Sequence, residues 1–146
     1  LSPNQKKMIP ILIDAAKIMD RCFWYEAYGS RKDLLASIDA PKVRTFARIN
    51  YGPWDRLDGN QPFIDRFGSK PAGANFYPSD MTKAEFDSVK LAGKDDLYTF
   101  LRRDESGALK VVPYRQQCSR DMVQASSKLQ QAAELAEDAG LKRYLL

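Results

Sequence analysis

Histidine is absent from this 146-residue chain. Its absence removes the commonest metal ligand and the commonest general base, and it excludes a Ser-His-Asp arrangement within the chain. Cysteine is scarce: Cys22 and Cys118 are the two present, with no CxxC spacing, so no cysteine-based zinc site is expected. Each falls on an apolar helical face, where a reduced thiol behaves as a small hydrophobe; a disulfide between them stays open at this level. No apolar run reaches the roughly 20 residues that span a bilayer. Met8–Trp24 comes closest and is broken by Asp14, Lys17, Asp20 and Arg21. Glycine patterns of the phosphate-binding kind are missing. The net charge of +4 is spread along the chain with the acids, whereas a nucleic-acid surface needs a clustered basic stripe. A mixed solvated surface and no nucleic-acid partner are expected.

What is present is concentrated in Tyr51–Pro78. Four of the eight glycines (Gly52, Gly59, Gly68, Gly73) and four of the eight prolines (Pro53, Pro62, Pro71, Pro78) lie there, with Tyr51, Trp54, Phe63, Phe67, Phe76 and Tyr77. Long aperiodic stretches in compact domains are usually functional or disordered, and disordered ones are poor in aromatics. An ordered, irregular segment pinned by its rings is therefore expected. Within it, Trp54-Asp55-Arg56 reads as a turn with the guanidinium against the carboxylate or over the indole, or as a place where Asp55 or Arg56 meets the terminal charge of a peptide. Ala74–Tyr77 reads as a short extended piece, since Pro78 favours extended backbone before it. Tyr51, Trp54, Asp55, Arg56, Asn75 and Tyr77 are the candidate substrate-binding residues; no catalytic and no metal-binding residue is assigned.

Helices frame that segment. Ser2-Pro3-Asn4-Gln5 carries an N-cap serine, a first-turn proline and a capping-box glutamine. Met8, Leu12, Ala15, Met19 and Cys22 follow at helical spacing, predicting a helix over 3–26 with Pro10 kinking it or marking its effective start. Gly29 is the expected stop. Ser30 with Asp33 opens a second helix, and Asp39 or Ala40 caps a third that Asn50 ends. Thr82 with Glu85 opens a short one. Leu97–Arg103 and Ala108–Pro113 are strand-like, joined by a turn at Asp104–Gly107. A lone hairpin is marginal in water, so packing on helices or on strands outside the chain is expected. Cys118, Met122, Ala125, Leu129, Ala132 and Ala136 predict one helix over 114–138, terminated by Gly140, with small residues that let a neighbouring helix approach. The final LKRYLL reads as the opening of a further helix, so the chain is expected to be a piece of a longer protein. The fold class is mainly α (α+β): a helical scaffold with one β-hairpin and a long ordered loop, forming one domain or part of a lobe.

Taken jointly, LSPNQKKMIPILIDAAKIMD…FWYEAYG, NYGPWDRLDGNQPFI, KPAGANFYPSDMTKAEF and LYTFLRRDESGALKVVPY resemble the N-terminal part of bacterial dipeptidyl peptidase III-like proteins. The likeness covers essentially the whole chain; each piece alone is weak. It implies a zinc-dependent exopeptidase that releases dipeptides from peptide N-termini. In that family a helix bearing HExxH or a variant, plus a further glutamate, holds zinc, and the motif glutamate acts as base on the activated water. That motif does not occur here, so the resemblance carries no metal or catalytic position onto this chain. It implies part of the non-zinc lobe, a non-catalytic wall of the peptide cleft, with the zinc cofactor and the catalytic lobe supplied by the rest of the parent and peptide as the substrate. One departure is Arg115, which stands after Pro113-Tyr114 where a histidine is expected. A competing reading makes the chain an independent peptide- or protein-binding module using the Tyr51–Pro78 surface.

Overall fold

The computed structural model describes all residues, Leu1–Leu146. It contains seven helices and two separate two-stranded antiparallel sheets, a mainly α fold with a hairpin as expected. The elements run α1 (Pro3–Ala27), α2 (Arg31–Ala36), α3 (Pro41–Asn50), β1 (Trp54–Asp55), β2 (Gln61–Pro62), α4 (Lys83–Ser88), β3 (Thr99–Arg103), β4 (Leu109–Pro113), α5 (Tyr114–Gln117), α6 (Ser119–Leu135) and α7 (Ala139–Leu145). No helix is long and apolar enough to cross a membrane. The chain divides into two compact units, Leu1–Phe23 with Tyr114–Leu146, and Trp24–Pro113.

In the first unit α1 and α6 run antiparallel. Arg21 pairs with Asp121, Lys128 with Asp14, and the Ser2 hydroxyl donates to Glu137. The apolar stripes read from the sequence are buried only in part: Met8, Ala15 and Cys22 of α1 and Cys118, Ala125 and Ala132 are buried, and so are Ile18 and Ala133 beside them, whereas Leu12, Met19, Leu129 and Ala136 are half-buried and Met122 is exposed. Alanines cost little side-chain entropy on burial. The capping box forms, with Gln5 N–H donating to Ser2 Oγ at 3.1 Å and Ser2 N–H to Gln5 Oε1 at 2.9 Å. Helix α1 continues through Pro10. Both thiols are buried and neither is in a disulfide.

Two boundaries differ from expectation. The helix predicted over 114–138 is interrupted at Cys118 and ends at Leu135. Gly140 does not stop it but sits in the first turn of α7, because Asp138 turns the chain and accepts a hydrogen bond from Leu141 N–H at 2.7 Å. A side-chain acceptor two residues before the glycine outweighs the glycine as a stop signal.

The second unit is built on Trp24, Leu34, Ile38 and Ala47, with Tyr28, Leu35, Val43, Tyr51, Phe63, Ile64 and Phe67 packed against them. Ser30 and Thr82 cap α2 and α4 through Asp33 and Glu85 N–H groups, as their spacing predicts. Strand β3 pairs with β4 from Thr99↔Pro113 to Arg103↔Leu109. Phe100 and Leu101 point to opposite faces and both are fully buried; the Phe100 face is covered by Tyr25 and Phe76. The β3 edge of the hairpin is partly covered as well: Leu101 N–H donates to Phe76 C=O at 2.9 Å.

Candidate functional site

Pro53–Phe67 is closed by three kinds of contact. The short β1–β2 pairing sets Trp54 opposite Pro62 and Asp55 opposite Gln61. Phe63 N–H donates to Pro53 C=O at 3.0 Å, and the Trp54 indole N–H donates to Gly68 C=O at 2.8 Å. The buried Trp54 ring then sits among Tyr28 (5.9 Å between centroids) and Phe67 (6.4 Å). Such tilted ring contacts add to the area they bury.

Each candidate residue has a definite place. Tyr51 takes the left-handed conformation (φ 54°) at the end of α3, and its ring packs on Trp24 at 5.1 Å. Asp55 accepts from Leu57 N–H at 3.0 Å, tightening the turn. The Arg56 guanidinium lies over Tyr51 at 5.2 Å and donates to Asn50 C=O at 2.9 Å. It is therefore over Tyr51, not over the Trp54 indole, because the left-handed turn at Tyr51 brings that ring beneath it. Asn75 serves the end of α1: its N–H donates to Glu26 C=O at 2.9 Å and its side-chain amide to Tyr25 C=O at 2.6 Å. These are carbonyls that the helix itself leaves without partners. Tyr77 lies over Gly73 and meets Phe86 edge-on at 5.8 Å.

Ala74–Tyr77 is not extended. Ala74 is left-handed (φ 48°), and Phe76 N–H bonds back to Gly73 C=O. The backbone bends because Asn75 must reach the end of α1, a demand from fifty residues away. Arg102 locks this bend from the hairpin side. It donates to Asn75 C=O at 3.0 Å, Phe76 C=O at 3.2 Å and the Tyr25 hydroxyl at 3.1 Å, and its guanidinium lies 4.8 Å from the Phe100 ring. Phe100 in turn stacks on Phe76 at 5.0 Å. Arg102 and Tyr28 are lining residues that sequence reasoning left out, and Phe67 was named among the rings of the segment without being proposed for binding. The one available signal was a charged pair, Arg102-Arg103, ending an apolar strand.

Three hollows open on this segment. One of about 580 Å³ is lined by Tyr28, Trp54, Phe67, Asn75, Tyr77 and Arg102 among others. A second of about 480 Å³ lies between Pro71–Ser79 and α4, with Tyr77, Met81 and Phe86 in its wall. A third of about 560 Å³ is bounded by Gly59–Pro62 and Ser69–Phe76. Trp54, Asn75 and Tyr77 thus share the first hollow, while Tyr51, Asp55 and Arg56 line none of the three. Beside the first hollow Arg103 is held by Asp80 (2.7 Å) and Glu85 (2.8 Å). Hydrogen bonding from Arg103 holds the Glu85 carboxyl below the usual range. Burial raises the Tyr28 hydroxyl above its ordinary value, so Tyr28 stays a neutral donor. No group of three or more His, Cys, Asp or Glu side chains is placed to hold a metal ion. A concave surface of rings rimmed by paired charges suits an extended chain bearing apolar side chains.

No protein-family profile matches the chain. Solved structures do. DPP III from Caldithrix abyssi superposes with a TM-score of 0.87 at 34% identity, over 99% of this chain and 30% of that one. The dipeptidyl-peptidase III from Corallococcus sp. strain EGB gives 0.84 at 32% identity, over 99% and 29%. A curated plant relative, Nudix hydrolase 3 of Arabidopsis thaliana, is 25% identical across 99% of this chain and 27% of its own length. The chain therefore spans less than a third of the proteins it matches. Over nearly all of its own length it is similar to part of bacterial dipeptidyl peptidase III.

Proposed function

We propose that this dipeptidyl peptidase III-like segment is the N-terminal, non-zinc portion of a zinc-dependent exopeptidase that removes dipeptides from peptide N-termini. The observation that supports this most is the superposition on two dipeptidyl peptidase III structures across 99% of the chain. The segment is non-catalytic alone. It contributes one wall of the peptide cleft, the remaining lobe of the parent contributes zinc and the base, and the peptide substrate lies between them. On this reading the hollow of Trp54, Asn75 and Tyr77 faces the peptide.

Arg102 and Asn75 then have an indirect task. They hold the bend at Ala74–Tyr77, and that bend decides where the Tyr77 ring stands. Positioning of this kind is what binding energy is spent on when a substrate must be held in register for attack.

The test uses a dipeptidyl-arylamide with added zinc, on this 146-residue chain and on the full-length gene product. Turnover is expected in the longer protein, lost with chelator, and absent in the chain alone. Turnover by the chain alone would overturn the reading, as would an inactive full-length protein that binds zinc normally.

A further inference from the structure

The hollow of about 560 Å³ between Gly59–Pro62 and Ser69–Phe76 has chemistry that the peptide-cleft reading does not use. Its lining includes one cation, Lys70, with the neutral polar side chains of Asn60, Gln61 and Ser69 and the apolar Pro62, Pro71 and Phe76; no carboxylate lines it. The Lys70 ammonium donates to Asn60 Oδ1 at 3.2 Å. An ammonium carries three donors and a full charge, and an amide oxygen answers one donor and none of the charge.

The side chains are presented by fixed backbone. Asn60 is left-handed (φ 61°), held there by its N–H bond to Asp55 C=O at 2.8 Å. On the other side, Gly68 C=O accepts the Trp54 indole and Pro71 C=O accepts Ala74 N–H at 3.0 Å, so Lys70 rises from a segment tied at both ends. We propose that this hollow is a carboxylate-binding site in which the Lys70 ammonium and the side-chain amide nitrogens of Asn60 and Gln61 hold the two oxygens of a peptide carboxylate.

Two further points favour that occupant. Burial, and then the nearby Arg56 charge, lower the Lys70 pKa; a bound anion would relieve the strain that both express. A single ammonium with amides matches a singly charged group, whereas phosphate is served better by guanidinium forks and several cations. The apolar walls suit the carbon stem behind a carboxylate. The carboxylate could be a peptide's C-terminus or an acidic side chain. Calling the ligand a peptide rests on the exopeptidase reading; the carboxylate site itself does not.

The experiment measures equilibrium binding to the full-length protein by calorimetry. N-acetylated tetrapeptides of one sequence resist cleavage at the N-terminus; they are compared as free acid, as C-terminal amide, and as amide with an internal glutamate. Wild-type protein is expected to prefer one carboxylate-bearing peptide over the plain amide by about tenfold, the scale of one charge-assisted hydrogen bond. Lys70→Met should abolish the preference and Lys70→Arg should keep most of it, with melting curves showing all three folded. Which peptide is preferred names the source. Equal binding of all three peptides by wild type, a preference that survives Lys70→Met, or inorganic phosphate competing better than acetate would each overturn the site. An enzyme that turns over substrate but lacks the preference loses only this inference. A protein without turnover that shows it loses only the peptidase reading.

Discussion

The two compact units solve the burial problem differently. Leu1–Phe23 with Tyr114–Leu146 uses a repeated device, an antiparallel helix pair whose seam recurs every three or four residues and is filled by alanine, methionine, isoleucine and cysteine. Trp24–Pro113 uses contacts that occur once each: an indole on a particular carbonyl, a guanidinium over a particular ring, an asparagine on the last carbonyls of α1. Repetition makes a seam robust, because losing one position leaves its neighbours in place. Single-copy contacts make a shaped surface without regular structure, and each is needed where it stands. The concave candidate surface lies entirely in the second unit, walled largely by its irregular segment.

The sharpest way to break that contrast is Gly73→Ala. A Cβ at Gly73 would stand 2.5 Å from Tyr77 Cε2, and the residue is left-handed (φ +75°). The ring is packed on Phe86 and cannot simply swing away. Strain and overpacking together predict a loss of about 3 kcal/mol or more. Gly59→Ala is the control: φ is +57° but nothing lies within 4 Å of a Cβ, so only the conformational cost of roughly 1–2 kcal/mol remains. Thermal melts read both. Equal losses would mean that the Tyr77–Gly73 contact does not shape the bend.

In the helical unit the matching probe is Ala132→Leu. Ala132 is fully buried in the α1–α6 seam. Three added carbons must push the helices apart, at a cost of about 1–3 kcal/mol. Hydrogen exchange should rise along α1 up to Phe23 and along α6, with the Trp24–Pro113 unit little changed. Uniform loosening of the whole chain would show that the units do not respond separately.

A milder probe of the loop is Trp54→Phe, which keeps a ring but deletes the donor to Gly68 C=O. About 1–2 kcal/mol is expected for the lost hydrogen bond and the smaller ring, with faster exchange confined to residues 63–70. If exchange there does not change, the indole hydrogen bond is not what closes the loop.

The same contrast decides what could be read in advance. Helices α1, α2, α3 and α4 were legible because their signals are local: apolar spacing, Ser30 with Asp33, Thr82 with Glu85, Pro41 at a first turn. The β3–β4 hairpin was legible from alternation around Asp104–Gly107. Misreadings fell where a distant partner decides. Ala74–Tyr77 looked extended because Pro78 follows it, yet Asn75 bends to the end of α1. Gly140 looked like a stop, yet Asp138 acts first. The Arg56 guanidinium could not be placed over Tyr51 without knowing that Tyr51 is left-handed. For the proposed binding residues, the aromatic and proline signal picked out the segment on which the three hollows open. It could not sort Trp54, Asn75 and Tyr77, which line one hollow, from Tyr51, Asp55 and Arg56, which do not.

The smallest expected effect lies in the ion pairs, and it still separates the units by pH. Arg21–Asp121 joins two helices at a half-exposed position; Asp121→Asn should cost no more than about 1 kcal/mol. Glu85 is different in kind, since both its oxygens accept from Arg103, at 2.8 and 3.0 Å. Hydrogen bonding from Arg103 holds its folded pKa below the ordinary carboxyl value. A carboxyl depressed by folding stabilises the protein above its unfolded pKa, and that contribution drains away as pH falls through the lower folded value. Stability should therefore drop below about pH 4.5, and Glu85→Gln should flatten that acid limb while leaving the alkaline side unchanged. Local exchange around α4 and β3 should report the change before any probe in α6 does. An acid limb of the same slope in Glu85→Gln and wild type would assign it to other carboxylates and remove the Arg103 fork from the forces that hold this surface.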